Sequence, residues 1–269
     1  MVKELIAQGK EVRVLSRKPL EPQQGIRLFQ GDLLNVKILK EFLFEADHLF
    51  HCAGEIQRQE KMKSTNVDGT KCLFGVARKT HLKYFCHISS AGVVGKTDQK
   101  WVTEETVCNP QNEYERTKYE AEKIVSQKIP NCSTVILRPI NVIDDENLGV
   151  GTLPMRNSLK DKIHTIIKGG ECAHLVHAEH VVECAVFFMN QTLEKPEVFF
   201  VGLDEDELNT IRGIWNLYHS KTGNEKSKLN WNMPVWFPYL IRKSRGVKSN
   251  PGHTRYSSKK ITSYGFNNH

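Results

Sequence analysis

A tyrosine four residues ahead of a lysine can act as a proton donor with an electrostatic helper when both side chains face a buried site. The stretch NEYERTKYEAEKIV, residues 112–125, contains that spacing twice, as Tyr114 with Lys118 and as Tyr119 with Lys123. It recurs at Tyr239/Lys243 and Tyr256/Lys260, so spacing alone does not choose. Helical phase does. Tyr114, Lys118, Ala121 and Val125 share one face, while Tyr119, Lys123 and Ser126 lie about 140° away with Glu120 and Glu122 alongside. The first face carries apolar residues and is expected to turn inward; the second is expected to be solvated. A lysine ammonium beside a phenol stabilises the phenolate and draws its pKa down from about 10. Ser90, one strand earlier, is placed to hydrogen-bond the same substrate oxygen. The set suits hydride transfer at a carbinol carbon whose oxygen gains or loses a proton.

These side chains need strands that end where the chemistry begins. Val2, Leu5 and Ile6 fall at helical spacing ahead of Gly9, and EVRVLS alternates as a strand. GIRLFQGDLL reads as strand and turn, VKILKEFLFEA as helix, DHLFHCAG as strand, STNVDGTKCLFGVARKT as helix and KYFCHISSAG as strand. STVILRPINV is the strand after the Tyr114 helix. The alternation predicts an α/β fold with a doubly wound parallel (Rossmann-type) sheet, which binds ligands at the carboxyl ends of its strands. Ser89, Ser90, Ala53, Gly54, Pro139 and Asn141 all follow such runs.

In the second half DDENLGVGTLP reads as a loop, HLVHAEHVVECAVFFMNQTL contains a helix, KPEVFFVG is a buried-type strand and DELNTIRGIWNLYHSKTG is a helix ended by glycine. The expected organisation is a dinucleotide-binding domain over 1–142 and a small C-terminal substrate-binding region over 143–269, of which about 175–202 returns to the sheet.

With 269 residues, 39% hydrophobic and 26% charged, the composition is that of a soluble globular chain with a sizeable core. A net charge of +7 asks for an anionic partner, but Lys and Arg are spread along the chain, so a nucleotide phosphate is expected and a nucleic acid is not. The seven cysteines show no C-x-x-C spacing, so neither a disulfide framework nor a metal site is expected. No apolar run reaches the length of a membrane span and no signal-peptide pattern opens the chain, which points to the cytoplasm. MPVWFPYLIRK, residues 233–243, is expected to pack as an apolar loop under the small domain; contact with a membrane surface or partner is the alternative.

GDLL (Asp32, Leu33), HCAGEI (51–56), NVDGT (Asn66 to Thr70), ISSAGVVG (Ser90), YERTK (Tyr114, Lys118) and RPINV (138–142) together resemble the extended short-chain dehydrogenase/reductase superfamily, of the NAD-dependent epimerase/dehydratase type. Weaker echoes in HLVHAEHV and YSSKKITSYGF extend the likeness along nearly the whole chain. The resemblance implies that Asp32 and Leu33 contact adenine and that Ala53, Gly54 and Asn66 line the cofactor. It implies that Ser90, Tyr114 and Lys118 do the chemistry, with Tyr114, Lys118 and Pro139 also touching the cofactor, and that Ser90 and Asn141 contact substrate. It offers a homodimer through a four-helix bundle, with the Tyr114 helix as a candidate.

Three departures qualify the likeness. Ala91 and Gly92 stand where dehydratases of the family carry an Asp-Glu pair, which disfavours elimination of water. The second family strand ends in LSRKP, and Ser16, Arg17 and Lys18 favour the 2′-phosphate of NADP(H) over NAD(H). The chain opens inside the helix that follows the family's first strand, about 20 residues short of the strand and its glycine-rich turn. A misplaced start or a fragment is expected rather than a degenerate paralogue, because Ser90, Tyr114 and Lys118 are retained.

The expected function is an NAD(P)-dependent epimerase or oxidoreductase acting on a nucleotide-linked sugar, with Arg242, Lys243, Arg245 and Arg255 as candidates for its diphosphate. An NADPH-dependent carbonyl reductase or hydroxysteroid-type dehydrogenase is the first alternative, and a non-catalytic dinucleotide-binding or scaffold protein the second.

Overall fold

The computed structural model describes residues 1–144, 158–221, 231–246 and 250–267. Most of the DDENLGVGTLP loop, and the glycine expected to end the later helix, lie outside them. The chain runs α1 (Val2–Ala7), β1 (Val12–Ser16), β2 (Ile26–Gln30), α2 (Val36–Leu43), β3 (His48–His51) and α3 (Gln59–Met62). A π-helical turn (Lys63–Asp68) leads into α4 (Gly69–Ala77), β4 (Tyr84–Ile88), β5 (Trp101–Val102), α5 (Glu113–Val125), β6 (Ser133–Pro139) and β7 (Asn141–Ile143). Then come α6 (Leu159–Lys168), β8 (Leu175–His177), α7 (Ala178–Phe188), β9 (Glu197–Val201), α8 (Ile211–Lys221), α9 (Trp236–Ser244), β10 (Arg255–Tyr256) and α10 (Lys259–Ser263).

The architecture is the α/β fold with parallel strands that the sequence predicts, divided into two compact units. One comprises residues 1–93, 110–138 and 179–199; the other comprises 94–109, 139–178 and 200–269.

In the first unit β3, β4, β6 and β9 form one sheet in the order β3-β4-β6-β9, and β3-β4 and β4-β6 pair in parallel. Every residue of β6 is buried, as a parallel strand covered on both faces requires. α2 begins where the Asn35 side chain accepts the N–H groups of Lys37 and Ile38, and its amphipathic sequence buries Leu39 and Leu43. These join Leu73, Phe74, Phe85 and Ile136 in the core.

β1 and β2 form a separate two-stranded parallel sheet. Val12 N–H donates to Gly25 O and Gly31 N–H to Ser16 O, so residues 12, 14 and 16 point their backbone groups at β2, leaving those of Arg13 and Leu15 facing away. Tyr84 N–H donates to Asp47 O, and by the same alternation His48 and Phe50 face away from β4. Among the described residues no strand pairs with either free edge. A cavity of about 660 Å³ lies between them, lined by Val12 to Leu15 on one side and His48 to His51 on the other. The order 3-2-1-4-5-6 puts its first strand at that place.

The second unit holds two parallel pairs, β5 with β10 and β7 with β8, and buries Phe200, Trp215, Tyr256 and Ile261. α8 starts later than expected. Asp206 Oδ1 accepts Leu208 N–H in a local turn, and Thr210 Oγ1 caps the helix by accepting Gly213 N–H. MPVWFPYLIRK is not a packed loop: it forms most of α9, with Trp236 at 58% and Leu240 at 51% exposure. Arg242 pairs with Glu171 at 2.8 Å and Arg255 donates to the carbonyl of Asp204 at 2.6 Å, so two of the four expected diphosphate ligands hold their own unit together.

Candidate active site

α5 positions the central pair. The Asn112 side chain caps it by accepting Glu115 N–H at 2.9 Å, and Thr117, Lys118, Ala121 and Val125 turn into the first unit. Tyr119 and Lys123 lie on the outer side, where the ammonium sits 4.3 Å from the ring centroid. Phase thus separates the two tyrosine-lysine pairs as expected. Glu122, expected on the solvated side, is instead buried, with Arg138 Nε and Nη2 donating to its two carboxylate oxygens at 3.0 and 2.7 Å. The partner that draws it inward lies on β6.

Lys118 is 5% exposed, and its Nζ donates to the carbonyl oxygen of Ile88 at the end of β4, at 2.7 Å. Burial lowers its pKa to about 8, opposed by the nearby Glu122 carboxylate and Cys52. Gly54 abuts the same ammonium: a Cβ there would lie 3.5 Å from Lys118 Nζ and 3.6 Å from Asn66 Oδ1.

Tyr114 shares the face and is half-buried, with its phenol hydrogen-bonded to Ser90. Burial raises the phenol pKa above 10; the Ser90 hydrogen bond pulls it down and the Glu115 carboxylate pushes it up. The phenol pKa thus moves opposite to the expected lowering, because burial outweighs the other influences, and the Lys118 ammonium donates to Ile88 O. Ser90 Oγ also accepts Gly92 N–H at 3.1 Å, which fixes the hydroxyl after β4. A Cβ at Gly92 would lie 3.3 Å from Ser90 Oγ and 3.4 Å from Glu115 Cγ, and Glu115 is itself held by Gln111 N–H and Asn112 Nδ2.

Asn66, in the π-helical turn, is a brace. Its Oδ1 accepts Glu55 N–H at 2.7 Å, while its Nδ2 donates to Glu55 O at 3.1 Å and Thr117 Oγ1 at 3.0 Å. It ties the Ala53–Glu55 turn to α5, and so Gly54 to Lys118.

Arg17, Asp32, Leu33, Ala53 and Gly54 all line the 660 Å³ cavity. Asp32 Oδ1 accepts Leu34 N–H at 2.9 Å, and Ser16 Oγ accepts Lys18 N–H at 3.2 Å, so the turns after β2 and β1 are held by their own side chains. Pro139 and Asn141 belong to the second unit, where Asn141 N–H donates to His174 O at 2.9 Å and its side chain is exposed.

Sequence reasoning missed two histidines. His51 and His87 are buried with ring centroids 5.0 Å apart, and His51 Nε2 meets Thr70 Oγ1 at 2.8 Å. Burial and the Lys118 charge drive His51 down to about 3; burial, His51 and Lys118 lower His87 as well. Both rings are neutral, leaving Lys118 as the cation of this pocket. Their positions inside HCAG and FCHIS carried only a strand signal.

The NAD-dependent epimerase/dehydratase family matches residues 1–202. The UDP-glucose 4-epimerase of Lactobacillus helveticus is 27% identical over 187 residues, 62% of this chain and 56% of that protein. A decarboxylating sterol-4-alpha-carboxylate 3-dehydrogenase of Candida albicans is 33% identical over 126 residues, 44% of this chain and 36% of that protein. The matches thus span about half or less of these relatives. Among solved structures, MoeE5 in complex with UDP-glucuronic acid and NAD superposes with a TM-score of 0.72 at 18% identity, covering 100% of this chain and 89% of that one. At that identity the likeness is one of fold.

Proposed function

The chain belongs to the NAD-dependent epimerase/dehydratase family, and on that premise we propose that it moves a hydride at a carbinol carbon of a nucleotide-linked sugar, as an NAD(P)-dependent epimerase or oxidoreductase. The observation that carries this reading is the convergence of Ser90, Tyr114, Lys118 and Gly54 at the ends of β3 and β4. A dinucleotide fits the groups present. Its place is the rim of the cavity at the strand ends, where Arg17, Asp32, Leu33, Ala53 and Gly54 stand, and not the space between the β1 and β3 edges; a Cβ at Gly54 would lie against Lys118. Asp32 and Leu33 would hold the adenosine end and Lys118 and Tyr114 the nicotinamide end; when bound, the nicotinamide supplies or takes the hydride. Ser90 would hold the substrate oxygen while the Tyr114 phenol gives or takes its proton. Lys118, charged below pH 8, places a positive potential one helical turn from that phenol. Ala91 and Gly92 bring no carboxylate, which supports hydride transfer without elimination. Arg17 after β1 favours NADP(H).

The test is incubation of the chain with UDP-glucose and either NAD(P)+ or NAD(P)H, following the 4-epimer and nicotinamide absorbance. Tyr114→Phe should lose roughly 10²- to 10⁴-fold in rate with folding intact. Equal rates in both proteins would refute the assignment. The match to a sterol dehydrogenase favours one second reading, a carbonyl or hydroxysteroid reductase. Its signature is net NADPH consumption with a ketosteroid and no epimer from UDP-glucose.

A further inference from the structure

We propose that Cys172, His174 and Asp204 form a divalent-cation site of the zinc class in the second unit. The cysteine sulfur, a histidine ring nitrogen and a carboxylate oxygen all lie within 4.8 Å of one another. Cys172 and His174 sit two apart just ahead of β8, and Asp204 follows β9, so two separate stretches of chain deliver the donors. His174 Nδ1 is 2.6 Å from Asp204 Oδ2, and the Cys172 thiol hydrogen-bonds with His174.

The donor chemistry selects the ion. A thiolate, an imidazole and a carboxylate are the set that zinc takes at about 2.0–2.3 Å. Two anionic donors offset the charge of the cation. Binding replaces the Cys172 thiol proton and the proton shared by His174 and Asp204, both of which leave to water.

The surroundings hold these donors in place. Asp204 Oδ2 also accepts Tyr256 N–H at 2.9 Å, and Arg255 donates to the Asp204 carbonyl. Asn209 brackets Leu175, its Nδ2 donating to Leu175 O at 3.0 Å while its Oδ1 accepts Leu175 N–H at 3.3 Å. Cys172 N–H donates to Gly252 O at 3.1 Å. Such outer contacts fix the orientation of metal ligands. Access is one-sided: Asp204 is fully buried, whereas the His174 side chain is 27% exposed, which leaves an approach from solvent. His174 itself has φ of +53°, a conformation a histidine adopts at a cost, and one that concentrates at functional sites.

The expectation of no metal site rested on the absence of C-x-x-C pairs. A C-x-H pair completed by an aspartate 30 residues later lies outside that pattern.

The experiment is titration of the full chain, freed of metal by a chelator, with Co2+, watching for a thiolate-to-cobalt charge-transfer band and then displacing the cobalt with Zn2+. The expected result is one cobalt per chain, a band retained in Cys52→Ser and lost in Cys172→Ser. His174→Gln should weaken binding by at least about 10- to 100-fold, the effect of losing even an outer contact. Zn2+ should raise the Tm of the parent chain and of Cys52→Ser, but not that of Cys172→Ser. A parent chain that gives no band overturns the proposal, as does a band unchanged in Cys172→Ser; the three residues are then a hydrogen-bond chain alone.

Discussion

The Lys118 ammonium donates to the carbonyl oxygen of Ile88 at 2.7 Å. That bond moors the cation of the site to the last residue of β4, the strand that also delivers Ser90. The Tyr114 phenol is hydrogen-bonded to Ser90 instead, and burial outweighs that bond in raising its pKa. The geometry therefore makes Lys118 a buried charge whose cost the fold bears.

That cost should be visible in stability against pH. The folded chain protonates Lys118 at about 8, against an ordinary value of 10.5. Between those values Lys118 is protonated in the unfolded chain and not in the folded one, so this residue's own contribution to stability should rise with pH by roughly 3 kcal/mol in all, against the opposite trend of the buried cysteine thiols, whose pKa values burial raises. Urea unfolding of the parent chain and Lys118→Met at pH 7.5, 9 and 10.5 should show the variant more stable at the lowest pH and the parent gaining on it as pH rises; a constant difference between them would count against the assignment.

The Glu122–Arg138 pair is buried on both sides. Glu122→Ala should destabilise by about 3–5 kcal/mol because it strands a buried guanidinium, whereas Glu122→Leu with Arg138→Met should recover most of the loss. Denaturant midpoints of the three variants decide this.

The facing edges of β1 and β3 should accept a strand. A chain extended ahead of Met1 by an apolar five-residue strand and a short turn should pair with the free groups of Arg13, Leu15, His48 and Phe50. The gain is expected at about 0.5–1.5 kcal/mol per hydrogen bond, with a larger urea m-value. Unchanged midpoint and slope would mean that the gap is not a strand site.

Arg17 lines the cavity beyond the end of β1. Arg17→Ala should weaken NADPH binding more than NADH binding, by about tenfold for the loss of one charge-assisted hydrogen bond worth ~1.4 kcal/mol or more. Equal losses on both cofactors would remove the NADP(H) preference.

Much of this site is legible in the sequence because it rests on short-range periodicity. Period 3.6 separates Tyr114/Lys118 from Tyr119/Lys123, and the strand runs end where Gly54 and Ser90 stand. What escaped depends on partners far along the chain. Glu122 reads as solvated until β6 brings Arg138 to it, and Lys118 shows nothing of its bond to Ile88. Asn66 reads as lining the cofactor, and nothing in the sequence signals that its amide braces Glu55 and Thr117. α9 shows the reverse error, since an apolar run suggested burial and the helix leaves Trp236 and Leu240 exposed.

The central claim is a dinucleotide site at the strand ends that carry Arg17, Asp32 and Gly54, beside Lys118, and NADPH fluorescence titration of the parent chain and Gly54→Ala tests it most directly. A Cβ at 54 makes only ordinary contacts at 3.5 and 3.6 Å, so the fold tolerates alanine, whose methyl group takes the space beside the Lys118 ammonium. Saturable binding by the parent chain, weakened in Gly54→Ala, is the expected result. Absence of binding by the parent chain, or identical binding by both, would contradict the account.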